Sequence, residues 1–237
     1  MTTTLEPMPT EIDLAGNLEF PCDVERLDNG HTLITDAGDE TGVGSEVIAV
    51  NRRGDVVWRF GDGLAFAHCA RRLDNGHTLI ADTTHDRLVE ITPDGEIAWT
   101  SDDWGDGDGV LSDGSHLHYP NDVHVLDYGR LLVTDRNNNR AIVVTRDGRV
   151  EWGYDRGLSH PHNADPLDNG NVLLVDSDGG RVLEVDPAGE VVWRYEGEGE
   201  AALNFPRDAD RMGNGNTLIT DSRHHRVIEV DPAGEIV

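Results

Sequence analysis

Arg72-Leu-Asp-Asn-Gly-His-Thr-Leu-Ile-Ala-Asp82 decides the fold, because the chain writes this phrase five times. The other copies run Arg26 to Asp36, Val125 to Asp135, Pro166 to Asp176 and Arg211 to Asp221. Their turn glycines are Gly30, Gly76, Gly129, Gly170 and Gly215, so the steps are 46, 53, 41 and 45 residues. Short apolar strands recurring at that period predict an all-β repeat fold, a β-propeller with one four-stranded blade per repeat.

Working outward from the phrase gives one blade. A first strand ends at Leu73, and Asp74-Asn75-Gly76 reads as a tight hairpin turn, since Asn-Gly accepts positive φ. His77 to Ala81 is apolar without alternation, as in a strand covered on both faces. Arg87 to Thr92 is the third strand, Pro93-Asp94-Gly95 a turn, and Glu96 to Trp99 the outer strand. Two repeated details read as structural. Trp58, Trp99, Trp152 and Trp193 each follow a turn glycine by four residues. A tryptophan buried between blades is worth several kcal/mol at about 25 cal/mol per Å². Asp82, Asp135, Asp176 and Asp221 each precede an arginine by five residues, a spacing that predicts ion pairs tying down the loop between them.

The 237 residues suffice for one domain, residues 20–237, with residues 1–19 as an N-terminal segment able to complete the last blade and cover its edge. Two closures fit: a closed five-bladed ring, or an incomplete six-bladed one, because the last repeat stops at Val237, one residue before the tryptophan its pattern predicts.

The formal charge is −27, from 46 acidic residues against 19 basic ones, every one of the latter arginine. Such a surface excludes nucleic acid and anionic membrane as partners, since both need cationic contacts. It suits the cytoplasm of a halophile that accumulates salt, where the Debye length shrinks to roughly 3 Å at 1 M. Codon bias towards arginine in a GC-rich genome is the other reading. Two cysteines, Cys22 and Cys69, make no disulfide framework. No apolar run approaches the roughly 20 residues that cross a bilayer.

The phrase Ser159-His-Pro-His-Asn-Ala-Asp165, followed by Leu167 to Asp176 and Arg181 to Trp193, resembles the repeat of arylsulfotransferase-like propellers of haloarchaeal type. It is also similar to NHL repeats and to the tryptophan-docked repeats of PQQ-type propellers. The first resemblance implies sulfuryl transfer between phenols through a histidine in the central channel.

A variable phrase heads each repeat: Phe20-Pro-Cys-Asp23, Phe66-Ala-His-Cys69, Tyr119-Pro-Asn-Asp122, His160-Pro-His-Asn163 and Phe205-Pro-Arg-Asp208. It is placed just before each channel-lining strand, so its residues are expected at the channel mouth. Three uses compete. His162 or His68 acts as nucleophile or acid–base group while Arg207 grips a sulfate or phosphate, with Asn121, Asn163 and His118 binding substrate. Alternatively, Asp23, Asp122 and Asp208 offer oxygens to Ca²⁺, as in the lactonase-type propellers resembled here. In the third use, these side chains only cap backbone groups. A non-catalytic propeller presenting its loops to a protein or small molecule therefore stands beside the enzyme. The acidic loop Asp102 to Gly109 and His224-His225 read as solvated.

Overall fold

The computed structural model describes residues 18–237. The N-terminal segment proposed to complete the last blade lies almost wholly outside them. Five antiparallel sheets follow one another along the chain, and their order within each sheet is sequential. Blade one holds β1 (Pro21–Arg26), β2 (Thr32–Asp36), β3 (Glu46–Val50) and β4 (Val56–Phe60). Blade two holds β5 (Ala67–Arg72), β6 (Thr78–Asp82), β7 (Arg87–Ile91) and β8 (Ile97–Thr100). Blade three holds β9 (Pro120–Val125), β10 (Leu131–Asp135), β11 (Arg140–Val144) and β12 (Val150–Tyr154). Blade four holds β13 (Pro161–Pro166), β14 (Val172–Asp176), β15 (Arg181–Val185) and β16 (Val191–Tyr195). Blade five holds β17 (Pro206–Arg211), β18 (Thr217–Asp221) and β19 (Arg226–Val230), with a Val230–Ile236 bridge in place of a full fourth strand. This is a five-bladed β-propeller, not an incomplete six-bladed one.

The described residues form two compact units, 18–85 with Val89–Ala98, and Asp86–Leu88 with Trp99–Val237. In the first, Leu33, Val47, Ala67, Ala70, Ile80 and Ile91 form the core. In the second, one cluster joins blades three and four around Leu132, Ala164 and Leu174, and another joins blades four and five around Leu173, Ala209 and Ile219. The second strands β2, β6, β10 and β14 are buried along their whole length, which explains their lack of alternation.

The turns differ from the two-residue form. Only Gly76 of Asp74-Asn75-Gly76 has positive φ, and the strands resume at Thr78. Asn75 instead accepts the His77 N–H at 2.9 Å, and Asn29, Asn169 and Asn214 do the same for His31, Asn171 and Asn216. The amide side chain closes the loop that a second left-handed residue would have closed.

The Asp–Arg spacing does form ion pairs, and they are cross-strand partners. Asp135 faces Arg140, Asp176 faces Arg181 and Asp221 faces Arg226 in register. The Nε–Oδ2 distances are 2.6, 2.6 and 2.7 Å. The second carboxylate oxygen takes the backbone N–H of His118, Ser159 or Asn204 at 2.7–2.8 Å, anchoring the segment that enters the inner strand of the same blade. A third donor reaches the carboxylate from the loop: His85 on Asp82, Asn138 on Asp135 and His224 on Asp221, each at 2.9 Å. His224 is thus a bonded loop residue, not merely a solvated one. In blade four Gly179 takes that position, where a Cβ would lie 2.1 Å from Asp176 Oδ2. There the backbone itself closes on the carboxylate.

The repeated tryptophans dock blades, but half-buried. Trp58, Trp99 and Trp193 donate their indole N–H to the carbonyls of Pro93, Arg146 and Pro232 in the next blade's outer turn, at 3.0–3.2 Å. Trp104, outside the repeat pattern, is buried and bonds the same Arg146 carbonyl at 3.0 Å. It pins the acidic loop, whose Gly107, Asp108 and Gly109 N–H groups all donate to the Trp104 carbonyl, while its aspartates remain exposed.

Candidate functional site

All but the first residue of the variable phrase lie inside the first strands, not before them. Pro21, Pro120, Pro161 and Pro206 open β1, β9, β13 and β17, a position that needs no ladder N–H. Each first strand carries a register shift between its first and third residues, so the second residue is bulged out of the pairing. The residue ahead of the strand is left-handed in four blades: Phe66, Tyr119, His160 and Phe205 have φ of 48–58°. That conformation strains bulky side chains. Asx side chains of the preceding blade hold two of them, through Tyr119 N–H to Asp86 at 2.7 Å and His160 N–H to Asn139 at 2.8 Å.

This geometry separates the predicted residues into two sets. Cys22, His68, Asn121, His162 and Arg207 occupy the bulge. His68 lies in the first unit and is buried, as is His162 in the second. Asn121 is 1 % exposed, and its Oδ1 has no hydrogen-bond partner. Arg207 stacks over Phe205 at 5.6 Å, Arg223 over the same ring at 4.2 Å, and Arg136 over Tyr119 at 5.4 Å. Burial, and to a lesser degree the neighbouring Arg207 charge, hold the Arg136 guanidinium below the usual arginine range, while Tyr119 and Asp178 act in the opposite direction. His118 is exposed and contributes its backbone N–H to Asp135.

Asp23, Asp122, Asn163 and Asp208 hold the third position. Asp23 is paired with the Arg71 guanidinium and accepts the Ala70 N–H at 3.3 Å, so its charge is met by arginine. Asp208 is exposed. Asp122 uses the same backbone relation as Asp23, taking the Ala164 N–H at 3.3 Å, but a different side-chain set surrounds it. His124 Nε2 lies 3.2 Å from Asp122 Oδ2 and 2.9 Å from Asp165 Oδ1. Asn163 Nδ2 sits 3.5 Å from Asp122 and 3.4 Å from Asp165, and its Oδ1 is buried without a partner.

His124, Asp165 and Asp210 are the fifth residues of β9, β13 and β17, two positions beyond the third and on the same strand face. Partial burial first, and the charge of Asp165 second, push the Asp210 carboxyl above the usual range, while His124 pulls it back. Carboxylates are crowded here, with one imidazole among them. Asp122, His124 and Asp165 offer one ligand atom each, all within 4.8 Å of one another. Asp122 belonged to the expected oxygen set; His124, Asp165 and Asp210 did not. A signal was present, since side chains two apart on a strand share a face.

The crowding makes a prediction. Asp210→Asn is expected to raise the melting temperature at pH 7, because the ionised native carboxylate is disfavoured there. A carboxyl raised in the folded state costs stability above its folded pKa, and that cost disappears as pH falls towards its ordinary value of 3.8. The advantage of the variant should therefore shrink on acidification, as calorimetric melts at several pH values would show. A pH-independent difference would contradict the cause given for the shift.

Inner strands lined by polar residues, with outer-strand tryptophans donating to the following blade, define a tryptophan-docked repeat propeller. The family described as outer membrane protein assembly factor BamB, a PQQ-type repeat, matches residues 43–237, and the chain belongs to it. No curated protein matches the chain. Among solved structures, a protein of unknown function from Bacteroides caccae is 18 % identical with a TM-score of 0.68, over 92 % of this chain and 80 % of that one. Virginiamycin B lyase from Staphylococcus aureus is 14 % identical with a TM-score of 0.66, over 92 % and 69 %. A streptogramin B lyase is 13 % identical with a TM-score of 0.69, over 95 % and 70 %. Identities this low speak to fold alone. Of the resemblances read from the sequence, the PQQ-type one is shown. No helix among the described residues is long and apolar enough to cross a membrane.

Proposed function

We propose that this propeller binds a divalent cation on its inner strands and acts through it on a small molecule. The observation that carries the reading is the convergence of Asp122, His124 and Asp165, whose ligand atoms lie within 4.8 Å. One ring nitrogen beside two carboxylates suits Zn²⁺ or Mn²⁺ better than the Ca²⁺ expected of an oxygen-only set. A flip of the Asn163 amide would add its orphaned oxygen. Such a cation would polarise a carbonyl or activate a water, and Asp210, at the position of β17 equivalent to His124 and Asp165, is the candidate to carry a proton. The lyases among the structural neighbours support small-molecule chemistry only as a use to which this fold is put. The acidic, lysine-free composition supports a salt-rich cytoplasm as the setting.

Calorimetric titration with Zn²⁺, Mn²⁺ and Ca²⁺ tests the reading. Binding should raise stability by about 2.7 kcal/mol at a hundredfold excess over Kd. Asp165→Asn and His124→Ala should lose that gain, while Asp23→Asn keeps it. Equal responses in all four proteins would place the cation elsewhere and end the proposal.

A second reading, sulfuryl transfer to a phenol, is favoured by the convergence of Arg136, Arg207 and Arg223 on Tyr119 and Phe205. That patch is cationic within an acidic protein, and His162 stands next to Asn163 on the same blade as His160. His162→Ala should then abolish aryl sulfate turnover with an unchanged melt. Undiminished turnover in the variant would remove His162 from the chemistry, and absence of turnover in the parent protein would favour a purely binding role.

A further inference from the structure

Three of the four repeated tryptophans carry a guanidinium over the indole. Arg72 covers Trp58 at 4.7 Å, Arg146 covers Trp99 at 4.5 Å and Arg211 covers Trp193 at 5.0 Å. Arg72 and Arg211 are the last residues of the inner strands β5 and β17, so each caps the tryptophan of the blade before it. The corresponding residue of β13 is Pro166, and the tryptophan it faces is Trp152. Among the described residues no guanidinium lies over Trp152. Its indole N–H also lacks the bond to the next outer turn that Trp58, Trp99 and Trp193 make.

An open cleft of about 740 Å³ takes the place of both contacts. Trp152, Pro166 and Pro187 wall it, and Glu151, Asp168 and Asp186 bring carboxylates to its lining. Asp127 adds a fourth acid; Glu151 pairs with Arg149 at 2.8 Å and stands 3.8 Å from Arg130, the one cation of the lining, so Asp127, Asp168 and Asp186 carry the excess negative charge. The residue across the sheet from Trp152 is Val143, whereas Trp193 faces Glu184, which holds its capping Arg211 at 2.9 Å. The cleft therefore has an aromatic wall and an apolar floor, and its charge comes from the rim.

We propose that this cleft binds an arginine side chain presented by a partner polypeptide. The molecule shows the complementary chemistry three times over, by filling the equivalent space with its own guanidinium. A planar guanidinium stacks on indole where a lysine ammonium does so less well, and desolvated cation–π contacts are worth more than exposed ones. The polypeptide source follows from the second unmet contact. In the other blades a backbone carbonyl accepts the indole N–H beside the stacked arginine; a peptide brings a guanidinium together with a neutral carbonyl, whereas free arginine brings a carboxylate that the acidic lining disfavours. The volume falls within the range of ligand sites, about 300–1,000 Å³, and leaves room for main chain beside the side chain. This site is separate from the cation-binding row on β9, β13 and β17.

The test uses the ¹⁵N-labelled full chain, with the Trp152 indole resonance assigned through Trp152→Phe. The probes are acetyl-Gly-Arg-Gly-amide, its citrulline counterpart and free arginine. The arginine peptide should shift the Trp152 resonance saturably and bind about tenfold more tightly than either control. Pro166→Arg, which restores the missing cap, should abolish the shift without lowering the melting temperature. Should that variant fail to fold, the Glu151→Gln, Asp168→Asn double variant should weaken binding about fivefold. No shift at Trp152, equal binding of the citrulline peptide, or binding retained by a folded Pro166→Arg protein would each overturn the proposal. Free arginine matching the peptide would overturn its polypeptide source. An unchanged affinity in the double variant would do the same for the charge complementarity.

Discussion

Asp176→Ala is expected to destabilise the protein by about 3–5 kcal/mol, the cost typical of breaking a buried ion pair from one side. Asp176 is fully buried. Its carboxylate holds Arg181 at 2.6 Å and the Ser159 N–H at 2.7 Å, so it ties the hairpin of blade four to the segment leading into β13. Alanine leaves the Arg181 guanidinium, itself largely buried, with only the Gly157 carbonyl as a bonded partner, and the Ser159 N–H without an acceptor. For a domain of this size the loss corresponds to a drop in melting temperature on the order of 10 °C. Asp176→Asn should cost less, because its amide oxygen still accepts the Ser159 N–H while the charge pairing is gone. A melt of Asp176→Ala within about 2 °C of the parent would show that the pair does not brace the blade.

That pair was legible in the sequence, and the reason it was legible marks what could be read. Features written in four or all five of the repeats reveal themselves by repetition: the turn glycines, the Asp–Arg spacing and the docking tryptophans. Each serves a contact that recurs from blade to blade. The first strands are different. Pro120 and Pro161 look like strand breakers in a single sequence, yet they open strands whose first residue needs no ladder N–H, so the sequence pattern places these strand starts too late. That displacement hid the fifth strand position and with it His124, Asp165 and Asp210. Asp122 was legible as a ligand candidate, and His124 shares its strand and face, but Asp165 and Asp210 come from neighbouring blades, where no sequence spacing applies. The half-burial of the tryptophans was equally hidden. Arg72 and Arg211 cover the indoles from the adjacent blade, and Pro166 becomes informative only once that neighbour relation is known.

Raising KCl from low concentration to about 1 M is expected to lift the melting temperature by roughly 10 °C or more, since the Debye length contracts from about 30 Å at 0.01 M to about 3 Å. The cause is the imbalance of 46 acidic against 19 basic residues. Structure adds to this, because arginine charge is spent locally: Arg140, Arg181 and Arg226 are committed to buried aspartates, and Arg71 to Asp23. Exposed carboxylates such as Asp39 and Asp55 sit below the usual range through local hydrogen bonds from Thr41 and Asn51, so mild acidification does not discharge them. Long-range repulsion among such groups is what salt removes, whereas the buried pairs are screened little. The Asp176→Ala deficit should accordingly be the same at low and high KCl, while the parent and the variant rise together. Divalent cation effects must then be measured at 1 M KCl, where general screening is already complete and any remaining gain belongs to the Asp122–His124–Asp165 set. A melting temperature that stays flat across the KCl series would mean that the carboxylates are spaced widely enough not to sense one another, and the acidic balance would lose its proposed tie to a salt-rich interior.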